Sequence, residues 1–226
     1  MKQQPVSTIR NQVYTILKNN ICSGSYAPGQ WLLEKELTKN LCVSRSPVRE
    51  ALRQLAVDGL IVEIPNKGVF VKEFSVKDME EIFDVRVLLE NHAIDCLKNR
   101  LTTTGKEQLL ECKFKLERSH RSGDLQQYII EDSQLHCLLV ELSENALLES
   151  MYTRVLSMIH QFRIYSLISN KRFEESLYEH SEVIHCILSG DFEEAKSINY
   201  RHLQLARDKI IEHLNETNKH TTAQIK

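Results

Sequence analysis

The stretch VSRSPVREALRQLAVDGLIVEIPNKGVFVKE, residues 43–73, decides the fold of the first part of the chain. Ser46 stands directly before Pro47, which predicts a capping residue followed by a proline at the first position of a helix. Gly59 is expected to end that helix. The β-branched and aromatic runs LIVEI and VFVKE are separated by the turn residues PNKG, so two short strands should follow as a hairpin.

Two further helices are predicted upstream of this stretch. The first stops at the turn residues SGSYAPGQ, and its apolar residues are spaced for one helical face: Ile9, Val13, Ile16, Leu17 and Ile21. A short second helix fits residues 34–40. Three helices followed by a hairpin make a winged helix-turn-helix, which is a DNA-binding fold.

The third predicted helix carries an apolar stripe and a separate basic face. Its stripe consists of Val48, Ala51, Leu52, Leu55 and Ala56. Arg45, Arg49 and Arg53 lie one turn apart, and an arginine fork can read a guanine edge or grip a phosphate. The alternative interpretation is that the three arginines merely form a solvent-exposed face of the helix. The net charge is +4 over residues 1–74 and −6 over the remainder, which favours nucleic-acid binding by the first part alone.

The segments PGQWLLEKEL, VSRSPVREALRQLAVDGL and NKGVFV together resemble the GntR family of bacterial repressors across residues 7–72. The resemblance implies contacts to double-stranded DNA from the helix-turn-helix and from the tip of the wing, which in the family approaches the minor groove. The corresponding residues are Lys35, Ser44, Arg45, Ser46 and Arg49, with Lys67 and Gly68 at the wing. Family members often have Arg at the position of Lys35 and Thr at that of Ser46.

From residue 75 onward no strand pattern recurs, and the chain as a whole should be mostly α. We predict six helices forming a bundle, at 76–99, 105–121, 124–142, 145–169, 172–189 and 191–216. Ser75 with Asp78, and Asp191 with Glu194, resemble capping boxes. The polar end NETNKHTTAQIK is expected to fray. The predicted organisation is a winged helix at 1–74, an all-helical domain at 75–216 and a flexible tail at 217–226.

Polar side chains lie on the apolar faces of three of these helices. Asp132 and His136 are four residues apart and share a face with leucines, while His180 and His202 each share a stripe with aliphatic residues. A buried polar group without a partner costs about 1–3 kcal/mol, so these side chains need partners. Three imidazoles and a carboxylate suit a divalent metal ion, whereas each histidine alone is more often a satisfied core residue.

The pattern D-x3-H, followed by HSEVIHCILSGDFEEA and RHL, resembles the FCD ligand-binding domain of the FadR subfamily over residues 76–213. Six helices rather than seven indicate its VanR-like branch. The resemblance implies that a divalent metal ion, with zinc, nickel and manganese as candidates, binds to Asp132, His136, His180 and His202. His185 is not expected to be a ligand, because it lies about 140° round the helix from His180.

In FCD domains the arginine that corresponds to Arg86, in the motif FDVRVLLE, faces the cavity and often binds an effector carboxylate. The resemblance therefore implies a small carboxylate effector at Arg86, with Asn145 of SENALL as a second effector residue. Each residue also has a simpler interpretation, since Glu90 can neutralise Arg86 and Asn145 can cap a helix. Arg163 could line the same cavity, but a surface or interhelix role is the expected one.

These patterns predict a metabolite-responsive transcription regulator rather than an enzyme, and the sequence contains no HExxH, GxSxG or P-loop motif. A homodimer on a pseudo-palindromic operator is expected, because one recognition helix reads few base pairs. The alternatives are a metal-ion sensor, in which the ion itself is the signal, and a metal-dependent hydrolase. No apolar stretch approaches the roughly 18 residues of a membrane span, so we expect a cytoplasmic protein without membrane contact.

Overall fold

The computed structural model of the chain describes residues 8–223, and side chains as far as residue 217. Residues 1–7 of the first predicted domain and 224–226 of the predicted tail lie outside the described residues. The chain divides into two compact units: the first runs as far as Phe74 and also includes Leu156–Gln161, and the second comprises Ser75–Val155 and the chain from Phe162 onward. The mostly-α prediction is confirmed, and in the described part no helix is long and apolar enough to cross a membrane.

The first unit is a winged helix-turn-helix, as predicted. Its elements are α1 (Ile9–Cys22), α2 (Glu34–Leu41), α3 (Arg45–Val57), β1 (Ile61–Ile64) and β2 (Gly68–Val71). The strands pair in antiparallel fashion, with Ile61 opposite Val71, and Trp31 adds an isolated bridge to Phe70. Residues from every helix and from both strands form one apolar core, which includes Val13, Leu17, Leu37, Val48, Leu55, Ile61 and Val71.

The third helix begins two residues earlier than the sequence predicts. Ser44 rather than Ser46 is its N-cap residue, with φ −71° and ψ 169°, so Pro47 is the third helical residue. Proline is tolerated there because the N–H groups of the first turn have no carbonyl partner within the helix. Ala56 is exposed rather than part of the apolar stripe. The helix ends at Val57, close to Gly59, whose φ of +75° suits glycine.

From Ser75 onward the described chain is entirely helical. The elements are α4 (Val76–Arg100), α5 (Thr103–Arg121), α6 (Leu125–Glu141), α7 (Ala146–Ile159), a 3-10 turn (His160–Phe162), α8 (Arg163–Leu167), α9 (Asn170–Ser189) and α10 (Phe192–Ala223). Helix α10 packs against α4 and α9, and α5 packs against α6. The capping box of Ser75 and Asp78 is confirmed at the start of α4. The apolar core includes Leu109, Tyr128, Leu135, Val183 and Ile198.

Two of the six predicted helices differ from the structure. The single helix predicted at 145–169 is divided into α7 and α8 by the 3-10 turn, although no glycine or proline marks the break. Helix α10 continues to Ala223, although the polar, aperiodic stretch from Asn215 predicts a frayed end. The stretch from 215 to 223 contains neither glycine nor proline, so nothing in it stops the helix.

Candidate nucleic-acid interface and metal centre

The DNA-contacting residues expected in the helix-turn-helix lie on its exposed surface. Ser44, Arg45 and Ser46 are exposed at the N-terminal end of α3, and Lys35 is exposed in the first turn of α2. A helix N-terminus favours a phosphate because its unpaired N–H groups and its dipole both point at the anion. The four side chains are therefore accessible to a phosphate or to a base edge.

Arg49 differs from these residues because its guanidinium already has a partner. Its Nε donates to both carboxylate oxygens of Glu34, at 2.9 and 3.1 Å, and 56% of its side chain is exposed. An exposed ion pair of this kind is worth about 0–1 kcal/mol. Arg49 can therefore exchange Glu34 for a DNA phosphate at little cost.

The wing is a tight hairpin with Lys67 exposed at its tip. Asn66 has φ +61° and Gly68 has φ +115°, so both residues lie in the region that L side chains rarely adopt. A Cβ atom at Gly68 would also come within 2.6 Å of Trp31 Nε1. The geometry therefore requires glycine at position 68 for the shape of the wing, whatever its backbone contributes to DNA binding.

The four predicted metal ligands converge inside the second unit. Asp132 and His136 come from α6, His180 comes from α9 and His202 comes from α10, and all four side chains are buried. One potential ligand atom from each residue lies within 4.8 Å of the others. His180 Nε2 is 3.3 Å from both His136 Nε2 and Asp132 Oδ1. His185 is exposed on α9, outside this cluster.

Two of the histidines are held by carboxylates on the opposite side of the ring. His136 Nδ1 lies 2.9 Å from Glu90 Oε2, and His202 Nδ1 lies 2.7 Å from Glu179 Oε2. An ionised carboxylate can only accept, so the Nδ1 atoms carry the protons and donate. The Nε2 lone pairs are consequently left for a metal ion, which is the arrangement that metal-binding histidines use.

The third histidine is held by hydroxyl groups instead. His180 Nδ1 lies 3.3 Å from the Tyr128 hydroxyl, which donates its own proton to Ser176 Oγ at 3.1 Å. The Tyr128 oxygen can therefore accept from Nδ1, which again leaves Nε2 free. With this tautomer of His180, all three imidazoles carry their proton on Nδ1 and keep the lone pair of Nε2.

The carboxylates behind the histidines are themselves paired with buried groups. Glu90 accepts from Arg86 Nε at 2.7 Å and from the Tyr152 hydroxyl at 2.6 Å. Glu179 accepts two bonds from Arg172, at 3.0 and 3.1 Å. The sequence pattern indicates Glu90 only as a partner of Arg86, and it does not indicate Glu179, Tyr152 or Arg172.

Electrostatics keep the histidines neutral and the carboxylates ionised. Burial lowers the pKa of His136 to about 4 and that of His180 to about 3. Burial alone raises the pKa of Glu179, but hydrogen bonds from His202 and Arg172 outweigh it and bring that pKa to about 2. These are the protonation states that a metal ion requires of its ligands and their supports.

Arg163 has an interhelix role, one of the two expected for it, and its side chain is buried rather than at the surface. It is 5% exposed, and its Nη2 donates to Asp132 Oδ2. Burial raises the pKa of Asp132, but the adjacent Arg163 guanidinium counteracts it, and that pKa lies well below its usual range. A guanidinium therefore lies directly against one of the four candidate ligands.

The two expected effector residues both have partners within the protein. Arg86 is 3% exposed and pairs with Glu90, yet its Nη2 is buried and has no hydrogen-bond partner in the described part of the chain. Asn145 Oδ1 accepts from the backbone N–H of Leu148 at 3.1 Å and so caps α7. Arg86 retains one free donor for a ligand, whereas capping already accounts for the Asn145 side-chain oxygen.

The first unit is a winged helix with exposed basic residues, and the second is all-helical with a buried cluster of four candidate metal ligands. Together they have the architecture of a DNA-binding transcription regulator. The family of bacterial regulatory proteins, gntR family, matches residues 9–71, and the FCD domain matches residues 81–205. The chain belongs to the GntR family and carries an FCD domain, as its sequence indicated. The FadR subfamily and its VanR-like branch are consistent with this two-domain architecture. The predicted count of six helices is wrong, because the described residues from Ser75 onward form seven α-helices, α4 to α10. The protein is a regulator and not an enzyme, so the hydrolase alternative is excluded.

Named relatives and solved structures agree with this assignment. The chain is 30% identical to the HTH-type regulator YdhC of Bacillus subtilis over 92% of its length and 89% of the relative. It is 28% identical to the Nta operon transcriptional regulator of Aminobacter aminovorans, over 83% and 87% of the two chains. The structure of E. coli McbR/YncC matches with a TM-score of 0.77 at 22% identity, covering 91% of this chain and 98% of the other. The metal-free FCD domain of TM0439 matches with a TM-score of 0.53 at 26% identity, over 64% and 99%.

Proposed function

We propose that this regulator binds a pseudo-palindromic operator as a homodimer and that a small carboxylate, bound at a divalent metal ion in the helical unit, modulates that binding. One observation carries the metal part of the proposal. Three buried histidines each place Nδ1 against an oxygen atom of a neighbouring side chain, and each leaves Nε2 for Asp132 and the other rings. With all three rings protonated at Nδ1, the lone pairs of His180 Nε2 and His136 Nε2 would face one another across 3.3 Å, and a cation between them removes that repulsion.

The donor set fits zinc, nickel or manganese. Three neutral imidazoles and one carboxylate supply a single negative charge, so a bound divalent ion would keep a net positive charge. Asp132, His136, His180 and His202 would hold the ion, and an open coordination position would attract an anion. The ion would thus supply Lewis acidity toward an oxygen ligand, while Arg86 Nη2 supplies a buried donor that still lacks an acceptor.

The experiment that tests this function is a screen of small carboxylic acids by thermal unfolding, with and without a chelator. An acid that binds the native state raises the unfolding temperature by mass action, and the chelator should abolish that rise. The metal ion and any acid that raises the unfolding temperature are then titrated separately, and the affinity of the protein for its operator is measured in each titration. A response to metal alone identifies a metal sensor, and a response to the acid only with metal present supports the proposal.

Arg86→Lys is expected to weaken binding of that acid by about tenfold or more, because lysine keeps the positive charge beside Glu90 but lacks the planar fork. Calorimetry of the acid against metal-loaded protein measures the effect, with metal content confirmed first. Arg121→Lys on the exposed end of α5 is the matched control and should bind as the wild type does. Wild-type affinity in Arg86→Lys would show that Arg86 serves Glu90 alone.

A further inference from the structure

The charges around the candidate metal ligands are balanced before any ion enters. Three carboxylates either belong to the cluster or hold its histidines, and in the described residues each is paired with its own buried arginine. The pairs are Asp132 with Arg163, Glu90 with Arg86, and Glu179 with Arg172. With neutral histidines, this buried set has a net charge of zero. Arg172 also contacts the half-buried Glu175 at 3.4 Å, outside this set.

A divalent ion would therefore bring two uncompensated positive charges into a buried, neutral environment. Like charges repel more strongly there than in water, because the surroundings screen them poorly. An excess of negative charge near the ligands would offset this repulsion, and the three arginines remove that excess here.

Arg163 has a position that the other two arginines do not share. Arg86 and Arg172 bind carboxylates that stand behind the histidines, whereas Arg163 binds a candidate ligand itself. It occupies Asp132 Oδ2, while Oδ1 faces His180 Nε2 at 3.3 Å. The guanidinium and a metal ion would therefore draw on the negative charge of one carboxylate.

We propose that Arg163 is an internal cation that neutralises Asp132 in the metal-free protein and holds down the affinity for the metal ion until an anion joins it. The inference rests on the proposed metal site and concerns its regulation. A carboxylate that enters with the ion restores the charge balance, so ion and acid bind cooperatively.

The test compares Arg163→Gln, which removes the charge, with Arg163→Lys, which keeps it. Nickel affinity is measured for each full-length protein by competition with a chromophoric chelator in a buffer without carboxylates. We expect Arg163→Gln to bind nickel about tenfold more tightly or better, and Arg163→Lys to stay close to the wild type. Metal-free Arg163→Gln should also unfold at a lower temperature, because Asp132 has lost its partner, and nickel should raise that temperature by more than in the wild type.

Weaker nickel binding by Arg163→Gln would overturn the proposal, since it would mean that Arg163 only orients Asp132 for the ion. The proposal would be supported if Arg163→Gln binds nickel and the wild type does not. If neither protein binds nickel, both the metal site and the proposal are contradicted. Should Arg163→Gln not fold, the wild type still decides the matter. Acetate should raise its nickel affinity relative to chloride at equal ionic strength, and an unchanged affinity would contradict the proposal.

Discussion

Replacing His180 with alanine is expected to abolish metal binding, whereas the wild type should hold about one divalent ion per chain. The variant loses a ligand whose Nε2 lies 3.3 Å from both His136 Nε2 and Asp132 Oδ1. Loss of a group that merely supports a ligand costs about 10- to 100-fold in affinity, so loss of the ligand itself should cost more. Metal analysis of the purified proteins gives the result directly, and Asp132→Ala should behave in the same way.

The control for this measurement is His185→Ala, which removes an exposed histidine five residues away on the same helix. It should keep its metal. Chelation should destabilise the wild type by about 2.7 kcal/mol when the free ion had been at 100 times its Kd, and should leave His180→Ala unchanged. A wild type that holds no metal and takes up none would identify the four residues as a hydrogen-bonded core cluster.

Replacing Arg45 with alanine should cost about 1–3 kcal/mol of operator affinity and reduce the preference for operator over random DNA, if the residue reads a base. The side chain is exposed at the N-terminal end of α3, as a recognition residue must be. Arg49→Ala is expected to lose less, because in the free protein the arginine is already held by Glu34. Fluorescence anisotropy with an operator selected from random duplexes measures both affinities.

Two matched variants separate base reading from general attraction to DNA. Lys67→Ala, at the tip of the wing, should weaken binding to every sequence and reduce the salt dependence by about one counterion. Arg53→Ala removes an equal charge one turn beyond Arg49 and should change operator preference little. Unchanged operator affinity in both Arg45→Ala and Arg49→Ala would contradict the assignment of α3 as the recognition helix.

The sequence predicted the winged helix well because its signals are local. Turn residues, β-branched runs and a glycine near the end of α3 each act over a few positions. Half of the metal-type cluster could be predicted for a related reason. Asp132 and His136 are four residues apart on one helix, and they share their helix face with leucines. That His180 and His202 join them came from the family resemblance, because nothing local relates α9 and α10 to α6.

The groups that complete the site escaped prediction because their partners are distant in the sequence. Glu179 precedes His180 directly, yet it binds His202 on the next helix. Arg163 lies just after the 3-10 turn that interrupts the predicted helix at 145–169, so the helical period of that helix does not continue as far as Arg163. An arginine within the apolar run FRIYSLI was the one available sign that Arg163 is buried.

The complete burial of the four ligand side chains has a kinetic consequence. An ion enclosed by α6, α9 and α10 can leave only when the packing of these helices opens locally. The rate at which a chelator removes the ion is then set by the opening of the bundle and is independent of the chelator concentration. An acid bound beside the ion must pass through the same opening, so the exchange of the acid would be limited by the same local motion of the bundle.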